Sequence, residues 1–158
     1  LALRIVQPGL LGLPGNILVP VSGAVEGFHS GLSILNRLAP DIHELFLLRV
    51  MMLSRGHYRQ LGDKEAEALR REGAEYLEKM EKELVTAVDL SPDRIEAIAR
   101  ISDDWVKEVL ICASRCKSGL ILMEVPRKSL KGKFLFGDKT EELLRGTPCD
   151  VALYRGIA

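Results

Sequence analysis

The sequence carries no excess of either charge, too few cysteines for a disulfide framework, and no hydrophobic run long enough to span a bilayer. Lys+Arg and Asp+Glu are both 22 among 158 residues, so the formal net charge is zero. Non-specific nucleic-acid binding needs a basic surface that displaces counterions, and this balance argues against it. The cysteines are Cys112, Cys116 and Cys149. An odd, sparse set fits a reducing compartment such as the cytoplasm better than an oxidising one. No apolar run approaches the ~20 residues of a membrane-crossing helix, so the domain is not expected to insert into a membrane. The first residues, LALRIVQPGLLGLPG, do not read as a signal peptide: they have one Arg, prolines within the apolar part and no clear small-residue cleavage site. The chain starts at Leu1 rather than at methionine, which fits a domain within a longer polypeptide.

What is present is ordinary for a globular domain, with 47% hydrophobic and 28% charged residues. The length suits a single core. Neither an internal repeat nor a low-complexity tract is visible. Residues 1–15 hold Pro8-Gly9, Gly12 and Pro14-Gly15. These break regular structure, so the segment reads as a linker or N-terminal arm, whose leucines and Ile5 suggest docking on its own domain. The domain proper is expected over 16–158.

Within it, apolar runs alternate with helical spacing. NILVPV at 16–21 predicts a buried strand. Phe28, Leu32, Leu35 and Leu38 predict a helix over 26–38, stopped by Ala39-Pro40. IHELFLLRVMM at 42–52 predicts a second strand, and 54–62 a polar loop. Asp63 is placed as the N-cap of a long helix reaching about Val88. Its apolar stripe runs Ala66, Leu69, Gly73, Tyr76, Leu77, Met80, Leu84 and Val88. Glu67/Arg71, Glu75/Lys79 and Glu78/Lys82 form i,i+4 pairs on a solvated face. Residues 93–101 alternate and predict a more exposed strand.

Ser102 and Asp103-Asp104 are capping candidates for a helix over 105–115, with Gly119 at the following turn. LILMEV at 120–125 predicts the fourth strand. A basic loop, PRKSLKGK, and a short helix over about 139–145 follow, ended by Gly146, and CDVALY at 149–154 predicts the last strand. The β-α alternation implies right-handed crossovers, hence an α/β fold: one parallel sheet with about four helices on its two faces.

The ordered set NILVPVSGA, a strand ending LLRV, SDDWVKEVL, GLILMEV, LFGDKTEELL and TPCDVALYR resembles the universal stress protein superfamily over about residues 16–155. The resemblance implies a five-stranded parallel sheet of order 3-2-1-4-5. It also implies homodimers, often made through the last strand, and domains that occur free in the cytoplasm or fused to the cytoplasmic ends of membrane transporters. Nucleotide-binding members carry Gly-x2-Gly-x9-Gly-Ser/Thr after the fourth strand. The matching positions here are Glu124, Arg127, Gly137 and Asp138, so only Gly137 is retained. A glycine lets backbone approach phosphate and a hydroxyl adds a donor, whereas a carboxylate repels the anion. The ribose-binding Asp of the family corresponds to Ser22. Pro20 and Val50 fall on the adenine side, and Thr140 on a second small hydroxyl position of the phosphate loop.

Other chemistry-bearing residues have simpler readings. Cys112 and Cys116, at i,i+4 on a helix, make at best half of a metal site and read as small core residues, so no metal is expected. Cys149 likewise reads as structural. His29, His43 and His57 are scattered without a triad order. Arg55, His57, Tyr58 and Arg59 read as a surface loop.

The expectation is therefore a non-catalytic universal-stress-protein-like regulatory or interaction domain with no cofactor. It would be cytoplasmic and homodimeric, with a degenerate nucleotide-binding site, and would serve as the regulatory domain of a transporter. The alternative is a sensor of ATP, AMP or another anion. It would use Pro20, Ser22, Val50, Arg127, Gly137, Asp138 and Thr140, with Lys128, Lys131 and Lys133 beside Arg127.

Overall fold

A computed structural model describes residues 2–5, 13–22, 28–124 and 137–154. Its strands are β1 (Ala2–Ile5), β2 (Leu13–Pro20), β3 (Glu44–Met52), β4 (Ile95–Ser102), β5 (Ser118–Glu124) and β6 (Asp150–Tyr154). Its helices are α1 (His29–Leu38), α2 (Arg55–Arg59), α3 (Asp63–Ala87), α4 (Trp105–Arg115) and α5 (Gly137–Gly146). The strands form one sheet of order β1-β6-β5-β2-β3-β4. From β2 onward every pairing is parallel, which is the expected 3-2-1-4-5 arrangement.

The sheet is sandwiched because its strands are apolar on both sides. Ile17, Val19, Leu45 and Leu47 face α1 and α3, where Leu35, Leu77, Met80 and Leu84 meet them. Leu18, Phe46, Leu48 and Ile121 face the other way, against Val106, Val109, Cys112 and Ala113 of α4 and Leu143 of α5. Each fully buried leucine contributes about 2 kcal/mol of transfer free energy. The continuous apolar runs in β2, β3 and β5 are therefore what a two-sided parallel sheet requires.

Of the linker and docking-arm readings of the N-terminal segment, the described residues show an arm docked on its own domain, and it docks as a strand. Ala2–Ile5 is a strand, antiparallel to β6, with Leu3 opposite Leu153 and Ile5 opposite Val151. The antiparallel direction ends β1 at Ile5 beside Val151, near the start of β6 rather than at its far end. β2 also begins earlier than expected, at Leu13. Pro14-Gly15 does not break it, because Gly15 adopts φ +87° where the β2–β5 register shifts between Leu13 and Ile17. A Cβ at Gly15 would stand 2.5 Å from the Asp41 carbonyl oxygen. Glycine therefore serves a bulge here rather than a strand end.

Local chemistry accounts for the other shifts. The N-cap of α3 is Gly62, and Asp63 sits in the first turn, where its carboxylate still complements the helix dipole. The 54–62 loop contains α2, capped by the Ser54 hydroxyl accepting from the His57 amide at 3.2 Å. The turn before β5 is made by Lys117 at φ 49°, not by Gly119, and β5 starts at Ser118. Cys149 precedes β6 rather than opening it.

Candidate functional site

In this topology the chain leaves β2 toward β3 on one side and returns through α4 to β5 on the other. The carboxyl ends of β2 and β5 therefore diverge, and the crevice between them is where open α/β sheets place ligands. A cleft of about 560 Å³ opens there. A narrower recess adjoins it, lined by Pro20, Ser22, Phe28, Trp105, Glu124 and Tyr154.

Four of the sequence-selected residues converge on this crevice. Pro20 ends β2 opposite Leu48, and Ser22 follows it, exposed. Val50 lies in β3, 8% exposed, and Thr140 in the first turn of α5, 6% exposed. Ser22, Val50 and Thr140 line the larger cleft together with Glu124. Gly137 opens α5 and Asp138 follows in its first turn, but the side chain of Asp138 lies outside the described residues. Arg127, Lys128, Lys131 and Lys133 lie outside them altogether.

Several residues that sequence reasoning passed over also line the cleft. Arg49 is the one charge within the apolar stretch Leu45–Met52 of β3. Its guanidinium lies 4.3 Å above the Tyr76 ring, and its Nη1 donates to the Val21 carbonyl oxygen at 3.5 Å. The ring face and the carbonyl hold the cation at the end of β2. A single arginine after the apolar run Leu45–Leu48 was the signal available. Glu72 was named neither in the apolar stripe of α3 nor among its ion pairs, yet it borders the cleft, as do Trp105 and Lys139. Two cations, Arg49 and Lys139, thus stand among two carboxylates, Glu72 and Glu124. Among the described residues the charges balance, so this part of the wall does not by itself attract a polyphosphate.

The recess is apolar at its base. Tyr154 is 3% exposed, and burial, with Glu124 and then Tyr76 adding to it, raises its phenol above the ordinary tyrosine range. Glu124 is the register partner of Tyr154. A Cβ at Gly31 would lie 2.2 Å from the Phe28 ring and 2.7 Å from the Tyr154 hydroxyl, so only glycine lets α1 approach here.

The remaining candidates are tied down elsewhere. Asp104 caps α4 by accepting from the Lys107 amide at 3.1 Å, and Ser102 accepts from the Asp104 amide at 3.1 Å. His57 Nε2 lies 2.5 Å from Glu65, and Arg55 lies 3.8 Å from Asp103. All three cysteines are unbridged. Burial is the first cause of their raised pKa values, and Cys116 is pushed up to about 11. None is therefore an activated nucleophile. Among the described residues no cluster of His, Cys, Asp and Glu could hold a metal ion, and no helix is long and apolar enough to cross a membrane.

No protein-family model and no curated protein matches the sequence. Solved structures do match. A protein from the universal stress protein family of Burkholderia pseudomallei is 21% identical, with 89% of this chain and 95% of that chain covered and a TM-score of 0.60. A universal stress protein in complex with cAMP is 13% identical, covering 94% and 100%, with a TM-score of 0.56. The universal stress protein from Archaeoglobus fulgidus in complex with dAMP is 9% identical, covering 87% and 95%, with a TM-score of 0.55. At such identities the likeness is one of fold.

Proposed function

We propose that this chain, which has the universal stress protein fold, is a non-catalytic regulatory domain that works by docking rather than by turnover. The observation that carries the reading is the exposed Glu124, which ends β5 and lines the crevice between β2 and β5. The resemblance puts a phosphate-approaching glycine at that position. A carboxylate there opposes a ligand phosphate, and Ser22 offers a short hydroxyl in place of a ribose-binding carboxylate. A polyphosphate nucleotide does not fit this set, so no hydrolytic step is derived. As part of the proposal, the domain sits on the cytoplasmic side as the regulatory portion of a membrane transporter. The reading frame upstream of Leu1 tests that directly.

A second reading has its own support: the cleft of about 560 Å³ holds Arg49 and Lys139, and two proteins of similar fold are described with cAMP and dAMP. On that reading the domain senses an adenine nucleotide or another small anion. Thermal-shift titration with ATP, AMP and cAMP separates the two. A ligand bound only by the folded state raises its stability, by about 2.7 kcal/mol at roughly 100 times its Kd. The docking reading expects no shift.

A further inference from the structure

A second cavity, of about 430 Å³, lies at the amino ends of the strands, the opposite end of the sheet from the crevice. Its size is ordinary for a small-ligand pocket. Strand register builds the floor. Leu18 and Phe46 face α4, so residues two steps along each strand, and their register partners, share that face. Asn16 therefore stands beside Glu44, and Glu96 beside Phe46, with Ile98 and Arg100 further along β4. The end of α4 supplies the other wall, through Arg115, Cys116 and Lys117. Asn16 ties the two together: its Nδ2 donates to the Cys116 carbonyl oxygen at 3.1 Å.

Two observations mark this cavity as more than a packing gap. Asn16 is 4% exposed, yet its Oδ1 accepts from nothing among the described residues. A buried acceptor without a partner is costly, and folded proteins pair nearly all of them. Around it stand exposed charges that form no ion pair among the described residues: Glu44 and Glu96 on the sheet, Arg115 and Lys117 at the helix end. Arg100 is engaged by Glu108 at 3.8 Å. The two carboxylates act on the cavity interior. After burial and Cys112, Glu96 and then Glu44 raise the Cys116 thiol, and Arg100 opposes them.

Two walls of opposite sign select the class of ligand. A simple anion would be repelled by Glu44 and Glu96, and a simple cation by Arg115 and Lys117. A molecule carrying both charges meets each wall with the opposite sign. Phe46 and Ile98 add apolar surface that suits a hydrocarbon side chain. We propose that this cavity binds a zwitterion of the α-amino-acid class with an apolar side chain. Its ammonium donates to Asn16 Oδ1 and to the carboxylates of Glu44 and Glu96, and its carboxylate accepts from Arg115 and Lys117. The ligand would fasten α4 to β2, β3 and β4, which makes the cavity an effector site. It does not rest on what the crevice between β2 and β5 binds.

Isothermal titration of the full chain with L-leucine, L-methionine and L-phenylalanine tests the proposal. Saturable heat is expected from at least one of them. For that amino acid, N-acetylation removes the ammonium and amidation removes the carboxylate, and each change is expected to weaken binding about tenfold or more. Glu96→Gln and Lys117→Met alter exposed positions, so the circular-dichroism spectrum should stay intact while binding weakens by a similar factor. Cys116 is the one cysteine that is not buried, so the bound amino acid should also slow its alkylation by iodoacetamide. No saturable heat from any of the three up to about 10 mM overturns the proposal. So does binding that both analogues reproduce, or that both variants retain in full. An alkylation rate that the bound amino acid leaves unchanged also overturns it, because the ligand then sits elsewhere.

Discussion

Glu124 ends β5 opposite Tyr154 of β6, and both residues line the recess at the diverging ends of β2 and β5. The pair couples the fold to the site: the buried phenol closes the sheet below, and the exposed carboxylate sets the charge above.

The phenol has a consequence for alkaline stability. Tyr154 starts from an ordinary value of 10.0 and is raised by burial. Cys112, Cys116 and Cys149 start from 9.0 and are raised, Cys116 to about 11. For each, the folded state holds its proton to higher pH than the unfolded chain does. The stabilising difference is therefore fully present below about pH 9 and is lost as pH rises toward 11 and beyond. The melting temperature is expected to fall across pH 9–11, and Tyr154→Phe should flatten the part above pH 10. A melting temperature constant over that range would contradict the burial assigned to these groups.

Gly15 should not tolerate a side chain. Its left-handed φ alone costs an alanine about 1–2 kcal/mol, and the Cβ would meet the Asp41 carbonyl oxygen at 2.5 Å, in backbone that has little room to move. Gly15→Ala is expected to lower stability by about 2 kcal/mol or more in urea denaturation. A loss below the strain cost alone would mean that the bulge between β2 and β5 relaxes.

Asp104 makes a modest, local contribution. Its carboxylate accepts from the Lys107 amide at the start of α4. Asp104→Ala should cost about 1 kcal/mol, and Asp104→Asn or Asp104→Ser much less, by the same denaturation measurement.

These predictions rest on features of unequal legibility in the sequence. A parallel sheet covered on both faces could be read because apolar runs in 16–21, 42–52 and 120–125 alternate with helical stripes, whereas the strand order 3-2-1-4-5 was implied by the family resemblance. β1 could not be read. ALRI is too short to show a period, and Pro8-Gly9 and Pro14-Gly15 signal breaks whose actual use, at Gly15, is a bulge inside a strand. Pro20, Ser22, Val50 and Thr140 fall around the crevice because strand ends and the α5 start fix their positions. Arg49 and Glu72 were missed for a different reason. Their role depends on α3 lying across β3 at Tyr76, a long-range contact that local patterning does not contain. The loop carrying Arg127 lies outside the described residues, so that part of the site stands on sequence alone.

If the replacements at the family's motif positions are what closed the site, restoring them should reopen it. Glu124→Gly with Arg127→Gly and Asp138→Ser is expected to gain ATP affinity by calorimetry. Unchanged affinity would move the obstruction elsewhere, with Ser22 the next position to test.

The most direct test of the account is isothermal titration of the unmodified chain with ATP, AMP and cAMP. A non-catalytic docking domain with a carboxylate in place of the phosphate cradle predicts no saturable heat up to millimolar nucleotide. Saturable binding at micromolar nucleotide would contradict it and establish the chain as a nucleotide sensor.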